Sequence, residues 1–372
     1  MFTLQVNDHV KLALLEAKQA ETINTIVDQD RDFIGQWLPW ARQSTEVSHY
    51  RQYVKMMRKN LAAATDYGLA ILYDGEVVGG IGLHIRSSID RRAEIGYWLI
   101  KGQNGKGIMT QSAKALTDYG FGALRMNRLL IRAASENPGS QNVAKRLGFS
   151  HEMTARKGGV ITDADQIDHL IDMQYYAMLS EDWHLPASVP EFAYAITENT
   201  ELRLLLHHHD AALYNVIHEN RSHLRDTQSW VDDIQTAADA HFWIETLLEK
   251  YAEDKGYAPG IWHENTLVGG LQVDVDHRGK AAKLAYWSAA DTAAEVIVQA
   301  VRGVTDYAFT EDKLERVEIA CLPDETQRYV PEALGFTLEG IRRQTRRIQG
   351  HYLDSLIYAM LAEDWTQNGE NA

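Results

Sequence analysis

The sequence predicts a mixed α/β fold (α+β, one mixed sheet per unit) built twice in tandem. Three observations carry that prediction. A segment near the N-terminus recurs about 190 residues later; a pair of alternating apolar runs is joined by a tight turn; and an apolar strand passes through a glycine-rich turn into a helix and then another strand. "FTLQVNDHVKLALL" from Phe2 pairs with "FAYAITENTELRLL" from Phe192, and the same shift puts Val27 on Ile217, Arg31 on Arg221 and Trp40 on Trp230. "ILYDGEVVGG" (71–80) falls on "IWHENTLVGG" (261–270), and "YAMLSEDW" (176–183) on "YAMLAEDW" (358–365), so short indels have slid the register in loops. The expected domains are 1–185 and 186–372, joined at "HLPASVPEF", where Pro186 and Pro190 stop the preceding element.

Within one unit, two β-rich stretches come first. Helical patterns follow over about 17–64, with Ile23, Val27 and Ile34 spaced for one face. "GLAILYDGEVVGGIGLHI" is a hairpin turning at Asp74-Gly75, a dipeptide that accepts positive φ cheaply. "AEIGYWLI" is the next strand, followed by the turn "KGQNGKG" and a helix over about 108–123. "RLLIRAASEN" is a strand, "SQNVAKRLGF" a short helix capped by Gly148, and the segment to Leu179 a final strand pair.

The chain has 372 residues, 45% hydrophobic and 24% charged, enough for two cores. The N-terminal stretch lacks a basic region followed by an apolar one, and no apolar run approaches the ~18 residues of a membrane span. A soluble, unexported, cytoplasmic protein is expected. The single cysteine, Cys321, has no partner for a disulfide or a CxxC site. A net charge of −15 speaks against nucleic acid or an anionic membrane as partner and favours a cationic one, such as a polyamine or a basic protein tail; ordinary cytosolic acidity accounts for it equally well.

A helix start leaves amides unpaired at the positive end of its dipole, so "NGKGIMT" is an anion site in outline. Gly105 and Gly107 let a phosphate approach the backbone, and Lys106 adds charge if it turns inward. Neither the dinucleotide fingerprint G-x-G-x-x-G nor the P-loop spacing is present, and an ordinary tight connection remains the alternative.

Thirty residues on, "ENPGSQNVAKRLGF" completes a pattern that resembles the GCN5-related N-acetyltransferase (GNAT) superfamily, and "WLPW" (37–40) with the element order is similar to its Rim-type branch, which acetylates ribosomal-protein N-termini. The resemblance implies two tandem acyl-CoA N-acyltransferase domains with acetyl-CoA as cosubstrate. It places the diphosphate on Asn104, Gly105, Lys106, Gly107, Ile108, Met109 and Thr110, although Asn104 and Met109 depart from the usual Gln/Arg and Gly/Ala. Pantetheine would lie between the strands carrying "YWLI" and "RLLIRAASEN", anchored by Asn137. Acyl transfer to an amine needs a proton acceptor, an oxyanion donor and an acid for the thiolate. Glu94 is the expected base, directly or through water, against the reading of a solvent-facing strand carboxylate. The amide of Leu99 or Ile100 would serve the oxyanion. Ser140 resembles the acid of some Rim-type enzymes, against an ordinary N-cap; Ala144 occupies the position of the tyrosine other members use, and Glu152 is a weaker candidate in the following hairpin.

The second copy reads differently. Lys283, Asp324, Gln327 and Pro331 align with Glu94, Asn137, Ser140 and Ala144, and "SAADTAAEV" replaces the glycine turn. Residues 186–372 are therefore expected to be a degenerate domain, although "NRSHL" (220–224) resembles an acceptor-side motif. "HHHD" (207–210) reads as an incidental cluster, "WLPW" as either acceptor wall or core, and no metal is expected. The reading is an acetyl-CoA-dependent N-acetyltransferase with one site, acting on a primary amine of a protein N-terminus or small molecule; the alternative is a non-catalytic CoA-binding scaffold. The acyl group and the acceptor stay open, and the assembly is expected to be a monomer with an internal pseudo-dimer, or a homodimer.

Overall fold

In a computed structural model the chain divides into two compact units, Phe2–Phe192 and the part from Ala193 onward. The structure describes residues 2–43, 45–163, 165 and 167–369, the last four by backbone alone. Phe192 belongs to the first unit because its ring stands edge-on to the buried Tyr119, 5.0 Å between centroids.

The first unit opens with β1 (Thr3–Gln5) and β2 (Val10–Leu14), then α1 (Gln19–Gln29), α2 (Arg31–Gly35), α3 (Trp40–Gln43) and α4 (Val47–Ala62). There follow β3 (Asp66–Tyr73), β4 (Glu76–Ser87), β5 (Arg92–Leu99), α5 (Ile108–Gly122), β6 (Arg128–Ala134), α6 (Pro138–Arg146), β7 (Ser150–Thr162) and β8 (Asp168–Leu179). Sheet order is β1–β2–β3–β4–β5–β6–β8–β7, and only β5–β6 is parallel. The β3–β4 hairpin turns at Asp74-Gly75 with φ of 48° and 87°, the left-handed pair that matches strand twist. On α4, Tyr50, Val54, Met57 and Leu61 recur at helical spacing and are buried against α1 and one sheet face. The other face carries α5, whose Gly120 lies against Leu83 and Leu129.

One interruption of the sheet positions the site. Pairing of β5 with β6 stops at Ile95↔Ile131, yet β5 continues along β4 to Leu99 and β6 along β8 to Ala134. Residues 96–99 thus face an opening through the sheet, with α5 and α6 on one side and α1 and α4 on the other.

The second unit repeats the plan: β9 (Ala193–Ala195), β10 (Thr200–Leu204), α7 (Asp210–Glu219), α8 (Arg221–Arg225), α9 (Ala237–Ala252), β11 (Gly256–Tyr257), β12 (Pro259–His263), β13 (Thr266–Asp276), β14 (Ala281–Ser288), α10 (Ala294–Thr310), β15 (Arg316–Cys321), α11 (Glu325–Ala333), β16 (Thr337–Ile348), β17 (His351–Leu361) and α12 (Ala362–Gly369). Its parallel pair, β14–β15, stops at Leu284↔Ile319, so the opening is kept as well. Among the described residues, no helix is long and apolar enough to cross a membrane.

Candidate active site

Past β5 the chain makes one 3-10 turn, Lys101–Gln103, braced by the Asn104 side chain, which donates to the carbonyls of Ile100 (3.1 Å) and Lys101 (3.2 Å). Gly105 and Gly107 follow at φ of 82° and 80°, and α5 starts with Gly107 as its N-cap and no side-chain cap. A Cβ on Gly105 would meet nothing within 4 Å, so the handedness of the backbone, not space, calls for glycine. Among the described residues the amides of 105–110 have no protein acceptor, which leaves a row of donors at the positive end of a helix dipole. The Lys106 ammonium lies at the rim instead, 2.7 Å from Gln103 Oε1 and 5.2 Å from the Tyr73 ring centroid.

Strand geometry separates Leu99 from Ile100. The Ile100 amide donates to the Val78 carbonyl at 3.0 Å, which makes that pair a hydrogen-bonded one and, by alternation, turns the backbone groups of Leu99 and Tyr97 toward the opposite edge. That edge is the opening beside β6. Leu99, not Ile100, therefore has an amide directed there.

On the far side of the opening, α6 begins at Pro138, with Asn137 as its N-cap: Asn137 Oδ1 accepts the Ser140 amide at 3.0 Å. Ser140 is thus not the cap. Its hydroxyl donates to the Tyr97 phenol oxygen at 3.2 Å, and the phenol donates to the Ser140 carbonyl at 3.1 Å. Burial pushes the Tyr97 hydroxyl up to about 12, so it is a protonated donor at neutral pH.

The Glu94 carboxylate, expected as an open base, is held on both oxygens: Arg132 Nε donates to Oε1 at 2.7 Å, and Arg86 reaches Oε2 at 2.9 Å. Its side chain is 12% exposed. Two guanidinium partners engage both carboxylate oxygens that a base would use. Glu152 is likewise committed, forming a two-pronged pair with Arg128 that draws its pKa below the ordinary glutamate value. Arg316 and Glu339 make the same pair in the second unit, which marks it as part of the shared scaffold.

Of the residues predicted for the site, all except Ile100, Lys106 and the weaker candidate Glu152 line one cleft of about 1150 Å³ that passes through the opening. A second, apolar cavity of about 460 Å³ lies under α1 and α4, where Trp40 of "WLPW" meets Trp98 at 5.9 Å between ring centroids. The two voids share Leu38, His84, Gly96, Tyr97 and Trp98 as walls. Sequence reasoning missed Tyr97, the two arginines on Glu94, and His84, whose Nδ1 is 2.7 Å from Asp66 Oδ2. Their only signal was strand register: it sets His84 opposite Glu94, and it turns Tyr97 to the other face, toward Ser140 of α6.

The second unit keeps the supports and loses the anion site. Asp324 caps α11 through the Gln327 amide at 2.9 Å, and the Tyr286 hydroxyl donates to the Gln327 carbonyl at 2.8 Å, as Asn137 and Tyr97 do in the first unit. Its α10, however, starts without left-handed glycines, from Ala293 at φ −60°, and the Val296 amide is already bonded to the Ala293 carbonyl at 3.0 Å. "NRSHL" is structural there: the Asn220 side chain accepts the Ala290 amide, and Arg221 donates to the Val231 carbonyl. In "HHHD", the Leu206 amide donates to His209 Nδ1 at 3.1 Å, and burial holds that imidazole well below its ordinary pKa.

Comparison with known proteins finds the same family in both units. The acetyltransferase (GNAT) domain family matches twice, over residues 9–150 and 199–337. "Putative ribosomal N-acetyltransferase YdaF" of Bacillus subtilis (strain 168) is 36% identical over 184 residues, 49% of this chain and 98% of that protein. "Probable N-acetyltransferase YjcK" of the same organism is 31% identical over 173 residues, 45% of this chain and 92% of that protein. "Ribosomal-protein-serine acetyltransferase" of Escherichia coli (strain K12) is 24% identical over 174 residues, 44% of this chain and 90% of that protein. A solved structure titled "Crystal structure of Probable acetyltransferase" is 35% identical, covering 49% of this chain and 99% of that one with a TM-score of 0.45. With a match in each unit, the chain belongs to the GNAT acetyltransferase family, as a tandem duplication.

Proposed function

We propose that the first unit transfers acetyl from acetyl-CoA to a primary amine and that the second unit is a degenerate copy with no coenzyme site. The observation that carries this reading is the meeting, in the first unit, of partnerless amides at 105–110 with the break between β5 and β6. A coenzyme diphosphate fits the amides, and pantetheine fits along residues 96–99, whose outward backbone groups act as an unpaired strand edge. The Leu99 amide is the donor for the tetrahedral oxyanion, with Ser140 and Tyr97 beside the leaving sulfur. Asn137, its Oδ1 spent on the cap, offers its side-chain NH2 to the pantetheine arm. Glu94 serves as base in this scheme only where the Arg86 contact opens, and the relatives' ribosomal-protein names support a protein N-terminus as acceptor.

Calorimetric titration of CoA into the full chain tests the reading. One site per chain is expected, abolished by Gly107→Asp; two sites, or binding that survives the substitution, overturns the location. Thiol release from acetyl-CoA with added amines separates an enzyme from a CoA-binding scaffold. An unchanged pH profile in Glu94→Gln removes that residue as base.

A further inference from the structure

We propose that His84, oriented by Asp66, takes the proton from the incoming ammonium. This rests on the acetyl-transfer reading and assigns the base to His84 in place of the arginine-held Glu94. Asp66, His84 and Glu94 sit directly opposite one another on β3, β4 and β5, so all three project on the face beneath α1 and α4. The Asp66 Oδ2 to His84 Nδ1 distance is 2.7 Å, and Asp66 is largely buried. A carboxylate there holds the proton on Nδ1 and leaves the Nε2 lone pair free to accept.

Nε2 is where the reaction needs it. The imidazole lies along β5 with Nε2 3.0 Å from where a Cβ on Gly96 would be. Gly96 is the first residue beyond the last β5–β6 pair, at the threshold of the opening, and His84 walls both the coenzyme cleft and the apolar cavity. The charged and titratable groups around the ring are Asp66, Glu94 with Arg86 and Arg132, and His49 and Tyr53 on α4. Of the two candidate bases in the row, Glu94 has both oxygens engaged by arginine, and His84 has an open nitrogen.

The second unit provides an internal comparison. Gly256, Asp274 and Lys283 occupy the same three paired positions, Gln272 and Ala285 stand for Gly82 and Gly96, and Asp274 is paired with Lys250. The dyad is absent from the unit that lacks the glycine turn.

In the proposed step, an ammonium proton passes to His84 Nε2, and the freed nitrogen lone pair forms the C–N bond to the thioester carbonyl carbon. As the C–S bond breaks, the second amine proton ends on the thiolate as CoA-SH, and His84 returns its proton to water.

The test measures thiol release from acetyl-CoA with spermidine, 2-phenylethylamine and short Ser- and Ala-initiated peptides, alongside CoA binding by calorimetry to verify folding. With the amine that the native protein uses best, His84→Gln is expected to bind CoA normally and to lose about 100-fold in kcat/KM at neutral pH. The deficit should shrink as pH rises and solvent deprotonates the amine, and added imidazole should partly rescue His84→Ala. Asp66→Asn should lose about tenfold and shift the pH profile. His84→Gln turnover within about threefold of native, or a deficit that is flat with pH, overturns this proposal alone. A native chain that binds CoA but releases no thiol with any of these amines overturns the acetyl-transfer reading, and the proposal with it.

Discussion

The Ser140 hydroxyl donates to the Tyr97 phenol oxygen across the opening between β5 and β6, at 3.2 Å, and links two residues 43 positions apart. The phenol's own bond to a backbone carbonyl is shared with Tyr286 in the second unit, whereas the serine contact belongs to the first alone. Tyr97→Phe and Tyr286→Phe should each cost about 1 kcal/mol of stability in denaturant titrations. Only Tyr97→Phe, and Ser140→Ala with it, should lower kcat, by on the order of 10²-fold. Equal turnover in the two tyrosine variants would show that the phenol is structural.

The glycine turn makes a prediction about backbone rather than bulk. Gly105→Ala introduces no clash, yet it disfavours φ of 82° by about 1–2 kcal/mol. The exposed turn can relax to another backbone conformation until CoA binds, so the cost should fall on binding: CoA affinity should drop by roughly five- to thirtyfold while the melting temperature falls by no more than a few degrees, a pattern read by calorimetry and a melting curve. Lys106→Ala, whose ammonium is spent on Gln103 and Tyr73, should weaken CoA much less.

His209 gives a pH dependence of stability. Burial, aided by His208 and Arg203, keeps its folded pKa well below the ordinary histidine value. Its stabilising contribution is therefore complete above about pH 6.5 and is lost as pH falls below that, when the unfolded chain takes up a proton that the folded one refuses. The slope should not exceed about 1.4 kcal/mol per pH unit, and His209→Asn should flatten it in denaturant midpoints measured from pH 7.5 to 5.5.

Cys321 on β15 is buried, and burial, followed by the nearby Asp324, pushes its thiol up to about 11. At pH 8 only about one thiol in a thousand would be ionised, so the native protein should be silent toward a disulfide reagent until denatured. Rapid labelling of the folded chain would contradict this. Silence makes the thiol signal in the turnover assay that of CoA alone.

The features legible in the sequence were local ones. The Asp74-Gly75 turn, the strand-to-helix glycine turn and the helical spacing on α4 are each settled within a few residues by backbone handedness or periodicity. The duplication was equally plain, because a repeated apolar pattern survives where site residues do not. Register, capping and face were not legible. Only strand alternation turns the Leu99 amide into the opening and spends that of Ile100, and only the cap at Asn137 frees the Ser140 hydroxyl for Tyr97. The two guanidinium groups on Glu94 and the carboxylate behind His84 come from β3, β4 and β6, strands whose neighbours are set by the whole sheet. A sequence determines which backbone turns are affordable; which side chains then share a face is a long-range property, decided when the strands take up their register.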